Sequence, residues 1–255
     1  MLTKPMIFSY HVSVSRTTSK ESYRDQLLAE LDRSEALRAR FVEDAGFAER
    51  RAGLRAWQAE RLARTHADLL ESRRFHDAAH FFLTELYGPA DVSRHIEDVR
   101  RIVPLMAATL PDAGLATVAH AVELNALAES LDGATVEALG EKAAGVTDAD
   151  YGAAYRKVGR ADDRERQIDL IAFLGGALDR LSHQRFIGAA LKVMRKPALL
   201  AGLGELQGFL ERGYAAFGAM RGGAAEFVSI VVARERAISA ALFAGDDGAL
   251  SRPPD

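Results

Sequence analysis

Two histidines one helical turn apart, His76 and His80, are the residues whose type and spacing best suit chemistry in this chain. On a helix they stand about 6 Å apart along the axis, a separation at which two imidazoles share one metal ion. A complete first shell needs ligands from elsewhere. His120 and Glu123, in a stretch apolar on two sides, are the expected ones. His66, roughly 15 Å from His76 along the same helix, is left out of the set. The cofactor this reading implies is a divalent metal or haem. The plainer reading is a hydrogen-bonded polar seam facing an acid on a neighbouring helix, with no cofactor.

Other arrangements carry less. Asp77-Ala-Ala between the two histidines lacks the glutamate of a metalloprotease helix, and the paired Glu-x-x-His motifs of a di-iron bundle are missing. The chain has no cysteine, so thiolate ligands, thiol nucleophiles and disulfides are excluded. Ser182 and His183 are adjacent, which on a helix aims them about 100° apart. Gly202-Leu-Gly204-Glu-Leu-Gln-Gly208 sits in a helical pattern with Glu205 where a phosphate would approach, so its small residues are read as close packing. Lys192, Arg195 and Lys196 are read as a solvated face, with an anion or membrane surface as the alternative.

The elements that position these residues are helical, because a period near 3.6 dominates wherever the chain is periodic. Residues 62–89 form the centre of the pattern: Leu62, His66, Leu69, Arg73, His76, His80, Leu83 and Tyr87 share one stripe, beside a core stripe of Phe75, Ala79, Phe82 and Leu86. One long helix is expected from Phe47 to Tyr87, with a bend near Ser72 and a stop at Gly88-Pro89. Before it, Thr18-Ser-Lys-Glu21 reads as a capping box opening a first helix. After it, Asp132-Gly133 is expected to turn, Thr147 to cap a short helix, and residues 199–217 to run as one helix.

At 255 residues the chain can bury a sizeable core, and no Pro/Ser-rich linker divides it. The expected organisation is an extended arm over residues 1–18, with a strand at 7–14, a single helical domain over 19–244, and a disordered tail over 245–255. The fold class is all-α, a bundle of about nine helices. A net charge of −3 offers no global attraction to nucleic acid, and no apolar run reaches the length of a membrane span. The N-terminus lacks a secretory signal, and a cytoplasmic location is expected.

The segment His80-Phe-Phe-Leu-Thr-Glu-Leu-Tyr-Gly-Pro-Ala-Asp-Val-Ser-Arg94, with Gly204-Glu-Leu-Gln-Gly-Phe-Leu-Glu-Arg212, resembles an uncharacterised family of all-helical bacterial proteins over most of the chain after about residue 50. The resemblance implies a helical fold and transfers no activity. With no complete catalytic constellation, the function expected is association, with a protein partner or a second copy. A metal or haem protein built on His76 and His80 is the alternative.

Overall fold

The computed structural model describes residues 19–86 and 93–252. The expected strand at 7–14 and the Gly88-Pro89 stop lie outside the described residues. Within them all regular structure is helical, in eleven α-helices: α1 (Lys20–Glu43), α2 (Ala45–Thr65), α3 (Ala67–Glu71), α4 (His76–Phe81), α5 (Ser93–Thr109), α6 (Asp112–Leu139), α7 (Asp148–Val158), α8 (Ala161–Ser182), α9 (Arg185–Leu200), α10 (Gly204–Ala219) and α11 (Ala224–Phe243).

The count exceeds the expected nine partly because the 47–87 helix is divided. His66 leaves helical geometry at φ −117° and ψ 27°, and Ser72 at ψ 121°. The Ser72 carbonyl then accepts the amides of Phe75 and His76 and restarts the chain as α4, which loosens into a π-helical turn over Phe82–Leu86. Residues 199–217 also divide, since Gly202 takes φ +74° and α10 opens at Gly204. A side chain there would be strained, whatever the space around it.

Hydroxyl caps fix two starts. Ser19 accepts the Ser22 amide to open α1, one residue after the expected Thr18, and Thr147 accepts the Asp150 amide to open α7 as expected. Asp132-Gly133 does not turn. α6 continues through it for 28 residues, about 42 Å. Its buried residues, from Leu115 and Val122 to Leu131 and Val136, point in all directions, and this surrounding burial outweighs a helix penalty of about 1 kcal/mol for glycine.

α6 joins three apolar clusters along its length. Leu115, Ala119 and Val122 meet Leu27 and Leu31 of α1 and Ile96 and Val103 of α5. Leu127 and Leu131 meet Leu170 of α8. Val136 and Leu139 meet Leu54 of α2, Tyr151 and Tyr155 of α7, and Leu242 of α11. Leu250 enters the third cluster at 1% exposure, and Arg156 Nη1 donates to Asp247 Oδ1 at 2.6 Å. The expected disorder from residue 245 is therefore corrected for 247–250, which form a 3-10 turn. A further cluster joins Leu69 and Phe75 to Phe217 of α10 and Phe227 of α11.

Candidate functional site

The four expected ligands form two separate pairs. His76 and His80 lie on the exposed side of α4 with ring centroids 6.0 Å apart, and His76 Nδ1 is 2.6 Å from the Leu70 carbonyl. His120 and Glu123 sit one turn apart on α6, with Nδ1 and Oε2 3.0 Å from each other. Burial raises the Glu123 carboxyl, but Arg166 and His120 outweigh it and hold the group below its ordinary value. Arg166 grips both Glu123 oxygens, at 2.7 and 2.8 Å, and Gln26 donates to one at 3.1 Å, so this carboxylate is already committed. Among the described residues no three His, Asp or Glu side chains converge on a position that could hold a metal. Ser182 and His183 are occupied separately at the end of α8, Ser182 donating to the Asp179 carbonyl and His183 Nδ1 lying 2.8 Å from it.

A denser group of polar side chains lies between α2, α7, α8 and α11. Three consecutive residues of α11 each hold a different neighbour, since successive helical side chains rotate by about 100°. Arg234 bonds both Asp68 oxygens on α3, at 2.8 and 2.9 Å. Glu235 turns inward, where one carboxylate oxygen accepts Arg61 Nη1 at 2.5 Å and stands 3.3 Å from His66 Nε2. Arg236 bridges Glu165 and Asp169 on α8, at 2.7 and 2.6 Å. Close approach of α8 to α11 requires Gly175, where a Cβ would fall 2.3 Å from a Val228 methyl.

Arg61 and His66 are buried and the Glu235 side chain is 17% exposed. Burial alone would raise the Glu235 carboxyl strongly. Arg61, with His66 beside it, reverses the effect and holds it at about 2. The sequence left His66 out because it lies too far along the helix from His76. Its partner is 169 residues away, and its Nδ1 is buried without a hydrogen-bond partner among the described residues.

Next to this cluster is a cavity of about 50 Å³, with Arg61, Tyr155, Arg164, Gln167, Glu235 and Ser239 among its lining. Arg164 is 6% exposed, and no carboxylate pairs with it among the described residues. One terminal nitrogen donates to Thr135 Oγ1 at 3.2 Å, the guanidinium lies 4.4 Å from the centre of the Tyr155 ring, and Nε has no hydrogen-bond partner among the described residues. Tyr155 and Ser239 share a hydroxyl contact of 2.8 Å. Burial pushes the Tyr155 phenol up, so it stays protonated and able to donate.

The sequence carries a signal for this site. Val228, Val231, Glu235, Ile238 and Leu242 recur at alternating steps of three and four, so an acid occupies a core position of α11. Likewise Leu54, Trp57, Arg61 and Thr65 place an arginine on the inward stripe of α2, and Arg164 leads Ile168 and Ile171 on α8. A charge inside an apolar stripe marks buried ionic chemistry more reliably than a histidine pair on an outer face.

Residues 38–249 match the family described as a domain of unknown function, DUF8198. The chain matches no curated protein and no solved structure.

Proposed function

The chain belongs to the DUF8198 family, a domain of unknown function, and from that premise we propose that it is a binding module that takes a small anion, of the carboxylate or phosphate class, into the cavity beside Arg164. The observation that carries this reading is that the buried Arg164 guanidinium lines a cavity and forms an ion pair with no carboxylate among the described residues. An uncompensated buried charge costs several kcal/mol, and a bound anion offsets that cost.

The surrounding groups suit the ligand. Arg164 supplies charge and donors, while the Tyr155 and Ser239 hydroxyls and the Gln167 amide border the same space. A water needs roughly 10–15 Å³, so a cavity of about 50 Å³ has room for a few waters or one compact anion. The Glu235 carboxylate is neutralised by Arg61 and does not compete for Arg164 at neutral pH.

The test is thermal denaturation in acetate, phosphate or sulfate against chloride at matched ionic strength. At least one of the three is expected to raise the Tm of the wild type and to leave Arg164→Gln unmoved. Equal responses in both proteins, or none in either, would remove the site.

A further inference from the structure

The molecule also carries an apolar surface that its own fold leaves uncovered. Among the described residues the large exposed hydrophobic side chains concentrate on α9, with Phe186 at 66% exposure, Val193 at 74% and Leu200 at 90%. Phe186, Ala190, Val193, Pro197 and Leu200 recur at steps of four, three, four and three, which lines them along one outward stripe. The opposite side is used for packing: Gly188 lies against Tyr214, Gln207 donates to the Leu191 carbonyl, and Ala198 is buried.

Between these two faces run Lys192 and Lys196, both exposed and one turn apart. Neither pairs with a carboxylate among the described residues, whereas Arg195 is held by Glu211 of α10. The sequence of α9 contains four basic residues and no acid.

We propose that α9 is a membrane-surface helix, docking on an anionic lipid bilayer with its Phe186–Leu200 stripe among the acyl chains and Lys192 and Lys196 at the headgroups. The charge pattern selects this occupant. Two copies joined along the stripe would bring the cationic flanks of two acid-free helices together, and like charges in close apposition disfavour a dimer. An anionic surface complements the lysines while the stripe supplies apolar contact, as in helices that lie in the interfacial plane. No single helix among the described residues is long and apolar enough to cross a bilayer, so the mode is lying on the surface.

The experiment is vesicle sedimentation of the full chain with pure phosphatidylcholine and with phosphatidylcholine and phosphatidylserine in equal parts. Binding is expected only to the mixed vesicles, weakened by salt. Each lysine near such a surface contributes roughly fivefold to the affinity, so the double variant Lys192→Glu, Lys196→Glu should lose far more than tenfold. Val193→Asp, at an exposed position, should abolish binding while leaving the helical circular dichroism spectrum and the Tm unchanged. Failure to bind mixed vesicles, equal binding to both kinds, or binding indifferent to these substitutions would overturn the proposal. So would a dimer in analytical ultracentrifugation that Val193→Asp dissolves, if no vesicle binding accompanies it.

Discussion

The Glu235 cluster and the outer face of α9 invert the usual distribution of side chains in opposite ways. Around Glu235, charged groups are inside and answered by Arg61 of α2 and by His66 at the junction of α2 and α3; along α9, apolar groups are outside and answered by nothing among the described residues. The first arrangement sets geometry, because the carboxylate is satisfied only where Arg61, His66 and α11 meet. The second contributes little to folding, which leaves it available for contact. Stability and membrane docking are thus expected to separate between the two regions.

The largest expected effect comes from breaking the cluster. Glu235→Gln removes the buried carboxylate that Arg61 and His66 share and should lower unfolding stability by about 3–5 kcal/mol in urea denaturation. A change below about 1 kcal/mol, the level of an exposed ion pair, would show the cluster to be looser than its geometry. Acid titration gives a second view. The folded Glu235 value of about 2 lies below the unfolded value of 4.5, so the stabilisation is complete above 4.5 and is lost as pH falls through 2. About 3 kcal/mol is expected to disappear across that window in wild type and not in Glu235→Gln.

Leu250→Ala should cost about 2–4 kcal/mol, since its side chain is buried at the cavity wall. A negligible loss would detach the 247–250 turn from the core. On the other side of the comparison, Val193→Asp should change stability by no more than about 0.5 kcal/mol. A large loss there would mean that the α9 face is structural. The smallest expected signal is metal. Untagged protein should contain none in stoichiometric amount by elemental analysis, and a metal lost on His76→Ala would restore the histidine-pair reading.

The all-helical fold was legible because period alone identifies helices, and α5, α8 and α9 satisfy it along most of their lengths. The breaks were less legible. Asp132-Gly133 has turn chemistry yet stays helical under burial from neighbours that the sequence does not reveal. His66 and Ser72 end helices without any glycine or proline. The candidate site was missed for a related reason: His76 and His80 advertise themselves by local spacing, whereas Arg61, His66, Arg164 and Glu235 meet only through contacts spanning up to 174 residues. Local spacing finds ligands that share a helix. It does not find a cavity assembled from four.

The central claim is that the cavity beside Arg164 holds an anion, and isothermal titration of the purified protein tests it most directly. Titration with the anion that most raises the Tm is expected to give saturable binding at one site per chain, lost in Arg164→Gln and weakened in Tyr155→Phe. Binding that survives Arg164→Gln unchanged, or no saturable heat in the wild type, would contradict the account.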